Sequence, residues 1–138
     1  MRDNSAKHLS TLHRVLYRLT GGVIGRRLVD NDMLLLTTTG RRSGTKHTVP
    51  LLYLYDGDDI FVIASWGGRD NHPEWYLNLK ADPRATVQIE RKRFAVTAET
   101  AEPQRRERLW QQVLAAYDGY RIYESRTDRR IPLVILKR

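Results

Sequence analysis

Hydrophobic positions along this chain follow two spacings, which predict strands over most of its length and helices in a few places. Apolar and β-branched residues cluster in short runs, several of them alternating with polar residues as in half-buried strands. The predicted strands cover 33–38, 49–55, 60–65, 85–90, 94–100 and 132–136. Apolar residues at helical spacing predict helices at about 8–20, 73–79 and 103–116.

Short connections between these strands favour an antiparallel sheet. Asp56-Gly57 is a hairpin turn signal between the second and third strands, and Arg91 to Arg93 is the predicted turn between the fourth and fifth. Parallel pairing would need a long crossover after each strand. The pattern therefore predicts an α+β, mainly β fold: a barrel of about six mostly antiparallel strands with flanking helices. We find no repeat or linker, which predicts one domain over 1–138.

Charge and composition narrow the partners. The chain has 138 residues, with 24 Lys+Arg against 16 Asp+Glu, and a formal net charge of +8. This excess predicts an anionic partner, which is a nucleic acid, an acidic membrane surface or an anionic small molecule. The chain has no cysteine, which excludes disulfides and thiolate chemistry.

No apolar run approaches the ~20 residues of a membrane span, and the N-terminus lacks the apolar core of a signal peptide. The default expectation is a cytoplasmic location. Helix 8–20 has two interpretations, because its leucines could pack on the sheet while His13, Arg14 and Arg18 lie on other faces. One is an ordinary packed helix, and the other is a basic helix in weak contact with a membrane surface.

A glycine-containing segment after the third strand resembles the border of a cofactor site. Ser65 is followed by Trp66 and the pair Gly67-Gly68, and then by a helix that carries Trp75 and Asn78. Paired glycines allow close approach of the backbone to a flat or charged ligand, and a helix N-terminus offers N–H groups that suit anions. The alternative is a tight turn with Trp75 in the core.

A second glycine-bounded loop, 40–47, is basic. Arg41 and Arg42 could form forked hydrogen bonds with phosphate or carboxylate, and Ser43 could add to them. The P-loop spacing is absent. Taken alone, the loop is as well explained as a basic hairpin turn, but the strands on either side make it a neighbour of the Ser65 segment.

Tyr117, Tyr120 and Tyr123 recur every three residues and would share one face of a helix or helical turn. Each offers a flat apolar ring with a hydroxyl that can donate a proton or a hydrogen bond. The alternative is an aromatic stripe that covers the core. The four histidines show no metal-ligand spacing, so no metal site is predicted.

Three segments together resemble the deazaflavin-dependent nitroreductase family, whose members are flavin-like oxidoreductases with a split β-barrel. The segments are LLLTTTGRRSGTKHTVPL (34–51), ASWGGRDNHPEWYLNLKADP (64–83) and YDGYRIYESRTDRRIP (117–132). The resemblance implies coenzyme F420, an 8-hydroxy-5-deazaflavin with a phosphodiester and a polyglutamate tail. An anionic coenzyme of this kind would also account for the positive charge of the chain.

The same resemblance implies roles for individual residues. The residues implied to bind the coenzyme are Arg41, Arg42, His47, Pro50, Leu51, Ile63, Ser65, Trp66, Glu74, Trp75 and Asn78. The chemistry of the two glycine-containing loops adds Ser43, Gly67 and Gly68 to this predicted site. The residues implied to line the substrate pocket are Leu52, Tyr117, Tyr120 and Tyr123. Ser65 is expected to donate a hydrogen bond near the ring or substrate, and Tyr120 or Tyr123 to donate a proton.

The favoured function is hydride transfer from reduced deazaflavin to a small organic acceptor, which is a quinone, a nitroaromatic or an activated alkene. One alternative is an FMN-binding oxidoreductase on the same barrel. Another is a non-enzymatic basic barrel that binds the coenzyme, a lipid or single-stranded nucleic acid. Nucleic acid is not expected, because the aromatic residues do not alternate along exposed strands. The chain is expected to be a monomer or a homodimer.

Overall fold

The computed structural model describes residues 33–65, 68 and 70–138, and six antiparallel strands close into a barrel within them. The strands are β1 (Met33–Thr39), β2 (Lys46–Asp56), β3 (Asp59–Ile63), β4 (Arg84–Ile89), β5 (Lys92–Thr100) and β6 (Leu133–Lys137). The helices in these residues are α1 (Glu74–Ala81), α2 (Pro103–Ala116) and α3 (Tyr120–Ser125). The predicted helix 8–20, Trp66 and Gly67 lie outside the described residues.

Strand order around the barrel is β1-β2-β3-β6-β5-β4, and β4 pairs with β1 to close the ring. Hairpins join β1 to β2, β2 to β3 and β4 to β5. The two longer connections carry the helices: α1 lies between β3 and β4, whereas α2 and α3 lie between β5 and β6. The predicted antiparallel barrel is therefore confirmed.

Alternation along the strands separates an interior core from a second core on the outer surface of the barrel. Interior side chains come from every strand and include Leu34, Leu36, Val62, Val87, Val96, Val134 and Leu136. Helix α1 adds Trp75, Tyr76 and Leu79 to this core. Successive side chains on a strand point to opposite faces, so the neighbours of these residues face outward.

The outward residues of β3 and β6 are also apolar, and α2 covers them. Phe61, Ile63, Leu133 and Ile135 form one buried cluster with Leu109, Trp110 and Val113 of the helix. Pro103 occupies the first turn of α2, where its missing N–H has no intrahelical partner to lose. Burying each large side chain here contributes roughly 1.5–3 kcal/mol, which fixes the β5–β6 connection against the barrel.

Strand β2 changes partners halfway along its length. Residues 46–52 pair with β1, and residues 53–56 pair with β3. Along its first half, β2 therefore forms no hydrogen-bonded ladder with β3. Pro50 lies in this half, where its missing N–H costs no ladder hydrogen bond on that edge.

Element boundaries differ from the sequence predictions by a few residues. The prediction that Arg91 to Arg93 form the β4–β5 turn was wrong for Lys92 and Arg93, which begin β5. The turn is formed by Glu90 and Arg91, and Glu90 takes a left-handed conformation with φ 56°. Strand β2 begins three residues earlier than predicted, because Lys46 to Thr48 pair with β1 despite their polar side chains. No helix in the described residues is long and apolar enough to cross a bilayer.

Candidate functional site

The loop between β1 and β2 is attached to α1 through Arg41. Its backbone N–H and one guanidinium nitrogen donate to Asn78 Oδ1 at 3.1 and 2.9 Å, and the same nitrogen lies 2.9 Å from Glu74 Oε1. Asn78 is buried, and its amide nitrogen lies 3.3 Å from Thr38 Oγ1. Arg41 and Asn78 therefore hold the loop and the helix in register, a role that the sequence interpretation did not assign to them.

Beside this contact is a cavity of about 550 Å³. Its lining includes residues 40–43 and 46–49 of the loop and β2, and Glu74, Trp75 and Asn78 of α1. Arg42, Lys46 and His47 are exposed at its surface. Arg42 has no hydrogen-bond or ion-pair partner within the described part of the chain. An open cavity with this cationic border and an apolar Trp75 suits an anionic ligand with a flat or extended body.

The loop itself is held by a short series of hydrogen bonds. Gly40 N donates to Thr45 O at 2.7 Å, and Gly44, with φ 75°, donates to Gly40 O at 2.8 Å. The hydroxyls of Ser43 and Thr45 are 2.7 Å apart, and Thr45 Oγ1 lies 3.2 Å from His47 Nε2. Ser43 and His47, both predicted to contact the coenzyme, therefore belong to one polar cluster through Thr45.

The three tyrosines lie together on the outer surface of the barrel. Tyr117 follows α2 and the other two belong to α3. The ring centroids of Tyr117 and Tyr120 are 6.3 Å apart, those of Tyr120 and Tyr123 are 5.2 Å apart, and both pairs meet edge to face. Tyr117 and Tyr120 also pack on Leu52 and Met33. The structure thus brings together the four residues predicted to line the substrate pocket.

The side chains of Ser65 and Tyr120 are close enough for the Ser65 hydroxyl to affect the pKa of Tyr120. Ser65 is buried in the described structure. Burial raises the pKa of Tyr120 well above its ordinary value, the neighbouring Tyr123 and Tyr117 raise it further, and the Ser65 hydroxyl opposes this shift. Tyr120 therefore keeps its proton at neutral pH, and the raised pKa excludes a resident tyrosinate.

Gly68 packs against the backbone of α3. It is buried with φ 78°, and a Cβ placed on it would overlap the carbonyl oxygen of Tyr123 and lie 2.8 Å from the Tyr123 Cα. Its N–H donates to Ser65 O at 2.9 Å. Contact with the coenzyme stays a prediction for Gly68. Because Gly68 has no side chain, this segment can pack closely on α3.

Other predicted residues occupy different settings. Pro50 and Leu51 lie on the half of β2 that pairs only with β1. Trp75 belongs to the interior core and also borders the cavity. Ile63 is only 5% exposed and packs with Phe61 and Trp110 on the outer surface, so any contact with a ring would involve little of its side chain.

Arg129 is a residue of this region that sequence reasoning missed. One guanidinium nitrogen contacts Ala64 O at 3.1 Å and His72 Nδ1 at 3.0 Å, and the other donates to Ser65 O at 2.7 Å. In the sequence, Arg129 and Arg130 follow Asp128 directly, and no local signal distinguishes the two arginines. In the structure Arg130 is exposed and pairs with Glu107. No group of three or more metal-ligating side chains occurs in the described ranges.

Comparisons with known proteins identify relatives that match most of this chain. A family model described as F420H(2)-dependent quinone reductase matches residues 9–138. An F420H(2)-dependent quinone reductase of Mycobacterium tuberculosis strain H37Rv is 42% identical over 134 residues, covering 94% of this chain and 90% of that protein.

Solved structures give the same picture. One, described as an F420-H2 dependent reductase (FDR-A), is 39% identical with a TM-score of 0.70, and the match covers 77% of this chain and 94% of that one. Another, described as a domain-swapped dimer, is 36% identical with a TM-score of 0.71, and the match covers 93% of this chain and 95% of that one.

Proposed function

This chain belongs to the F420H(2)-dependent quinone reductase family of deazaflavin-dependent oxidoreductases, and we propose that it transfers hydride from reduced coenzyme F420 to a quinone. Membership selects the deazaflavin interpretation over the FMN-binding and non-enzymatic alternatives. We propose the quinone as the acceptor, and we also propose a role for each site residue.

The anionic part of the coenzyme is assigned to the cavity beside α1. Arg42, Lys46 and His47 border it; the charges of Arg42 and Lys46, with the hydrogen-bonding ring of His47, complement a phosphodiester and a polyglutamate tail. Arg41 already donates to Asn78 and Glu74. We therefore assign to Arg41 the placement of the loop, and to Arg42 the direct ionic contact with the ligand.

Strand β2 connects this cavity with the tyrosines. Thr48 borders the cavity, Pro50 follows on the same face of the strand, and Leu52 packs against Tyr117 and Tyr120. From Thr48 to Leu52 a strand rises about 13 Å. A long coenzyme with one charged end and one flat end suits a path of this length, with its ring toward the tyrosines.

The coenzyme supplies a hydride, because a carbon in place of N5 favours two-electron transfer. The protein excludes water and provides a proton for the reduced acceptor. Tyr120 is the donor that we propose: it is protonated at neutral pH, and Ser65 is the polar neighbour that opposes the rise of its pKa. Leu52 and Tyr117 give the acceptor an apolar surface, which suits a quinone ring better than a charged substrate.

One observation carries this proposal: β2 borders a basic cavity at its beginning, and Leu52 near its middle packs on Tyr117 and Tyr120. The test begins with fluorescence titrations of the purified protein with F420, FMN and single-stranded DNA. Stopped-flow oxidation of reduced F420 by a soluble quinone, a nitroaromatic and an α,β-unsaturated ketone follows. We expect tight binding of F420 alone and fastest oxidation by the quinone. Binding without oxidation by any acceptor would instead support a coenzyme-sequestering protein.

Four further predictions belong to this proposal. The relative described as a domain-swapped dimer supports a homodimer over a monomer, which sedimentation velocity would test. Membrane contact through helix 8–20 is tested by flotation with anionic vesicles, since that helix lies outside the described residues. A single domain over 1–138 and a cytoplasmic location stay predictions from the sequence.

A further inference from the structure

The segment between β3 and α1 (residues 64–73, called here the Ser65 segment) is bridged at its two ends by one side chain. Arg129 contacts Ala64 O and Ser65 O where the segment begins, and His72 Nδ1 where it ends. The backbone N–H of Arg129 donates to Thr127 Oγ1 at 3.1 Å, which fixes the turn that presents the guanidinium. No role in coenzyme binding or turnover follows from the sequence for this residue.

We propose that Arg129 is a positioning residue for turnover, which sets the Ser65 hydroxyl against Tyr120 by fixing the Ser65 segment. This inference rests on the proposed function, in which Ser65 and Tyr120 act together. Ser65 O accepts from both Arg129 and the N–H of Gly68, at 2.7 and 2.9 Å. Two donors on one carbonyl fix the plane of that peptide, and with it the direction in which the Ser65 side chain leaves the backbone.

The chemistry of these contacts differs from that of the surface arginines. Arg84, Arg105 and Arg130 pair with carboxylates. The three contacts of Arg129 described above are with neutral acceptors, and burial lowers its pKa while Asp70 raises it. A partly desolvated guanidinium that donates to backbone carbonyls loses solvation free energy and holds those carbonyls in place. These contacts connect Arg129 directly to the geometry of the Ser65 segment.

His72 makes the same contact dependent on pH. A guanidinium only donates, so Nδ1 of His72 must accept and the ring must be neutral. Protonation would place two cations 3.0 Å apart. Burial lowers the pKa of His72, and Arg129 and Lys80 lower it further, while the Tyr76 ring packs against it edge to face. The contact is therefore complete at neutral pH and is lost as the pH falls below the pKa of this histidine.

The first experiment compares Arg129→Ala with Arg129→Lys and with the matched control Arg130→Ala in the full-length chain. We expect Arg129→Ala to lower kcat about 10²-fold while the F420 dissociation constant changes little. Lysine cannot reach both ends of the segment and should recover little of the loss. Added guanidinium should restore part of the kcat of Arg129→Ala, and Arg130→Ala should behave as wild type. A wild-type kcat in Arg129→Ala would overturn the proposal, as would a loss that tracks Tm and that guanidinium does not restore.

The second experiment does not depend on turnover, so it separates this proposal from the proposed function. Hydrogen exchange at the Gly68 amide should accelerate in Arg129→Ala and not in Arg130→Ala. The pKa of His72, followed by NMR, should rise in Arg129→Ala because the neighbouring charge is removed. If Gly68 stays protected and His72 titrates as in the wild type, Arg129 does not position the segment, whatever the quinone assay gives. If both change but the wild type reduces no quinone, the proposed acceptor is wrong and the positioning role stands.

Discussion

Two parts of β2 lie in surroundings with opposite physical properties. At its beginning, Arg42, Lys46 and His47 are exposed around an open cavity. Near its middle, Leu52 packs against Tyr117 and Tyr120 in an aromatic cluster, with Ser65 close to Tyr120. The first environment suits affinity for an anion and tolerates movement. The second suits a defined geometry, so the same change in position should cost far more there.

The largest effect is expected when the hydroxyl of Tyr120 is removed. Tyr120→Phe keeps the ring that packs on Leu52 and loses the hydroxyl that is close to Ser65. We expect kcat for quinone reduction to fall ~10²–10⁴-fold, the range of a general acid, with F420 affinity unchanged. Tyr123→Phe is the matched variant, and single-turnover oxidation of reduced F420 measures both. If Tyr123→Phe alone is slow, the donor is Tyr123, and a rise in KM alone would leave both hydroxyls a role in positioning.

Gly68→Ala should separate close packing from backbone conformation. The new methyl group would meet the Tyr123 backbone, whereas Gly57→Ala, also at positive φ, meets nothing within 4 Å. A left-handed alanine alone costs roughly 1–2 kcal/mol, and overpacking adds about 1–3 kcal/mol. Urea denaturation of both variants should therefore show Gly68→Ala as clearly less stable. Equal losses would mean that α3 moves aside freely and that the Ser65 segment is not fixed against it.

The two arginines of the basic loop should respond differently. Arg41→Ala leaves buried Asn78 without its guanidinium donor, so it should lower the free energy of unfolding by about 1–2 kcal/mol. Arg42→Ala should leave stability unchanged and weaken F420 binding by about 1 kcal/mol, with a flatter dependence on salt. Denaturant titration and fluorescence titration at several salt concentrations measure the two effects. An F420 affinity that Arg42→Ala leaves unchanged at low salt would remove this side chain from the site.

The smallest effect is expected at Asp56, the last residue of β2, which lies away from both of these environments. Arg108 and Arg105 bond to this carboxylate and hold its pKa below the ordinary value despite opposing desolvation. Asp56→Asn should cost less than about 1 kcal/mol of stability and leave turnover unchanged. Because the folded pKa is depressed, this stabilisation is present above the unfolded pKa of about 3.9 and is lost as the pH falls through the folded value. Thermal melts of wild type and variant should therefore converge in acid, and a constant difference would place the stabilisation elsewhere.

The fold was largely predictable because strand alternation and turn residues are local signals. Helix α2 was predicted with its observed ends, since Pro103 marks the start and the apolar spacing stops at Ala116. The start of β2 was not, because Lys46 to Thr48 carry polar side chains and become a strand only through their pairing with β1. The local residue pattern does not show with which distant strand, or in which register, a segment pairs.

The site could be predicted as a set of residues more readily than as a set of contacts. The spacing of the tyrosines indicated a shared face, and the structure places their rings together. The division of labour between Arg41 and Arg42 had no such signal, because it depends on Asn78, which lies far along the chain. The same is true of Arg129, whose contacts with Ala64 and Ser65 join distant parts of the sequence.

The place of β6 in the barrel has a consequence for how the protein is made. This strand pairs with β3 on one side and β5 on the other, so the ring stays open until Leu133 to Lys137 have left the ribosome. Until then two strand edges are exposed to other chains, and a chaperone that covers them would raise the yield of folded protein. The tyrosines lie just ahead of β6, so they are placed against the Ser65 segment only as the ring closes. A growing chain can therefore form the basic loop early, while the tyrosine cluster is completed only after β6 has joined the ring.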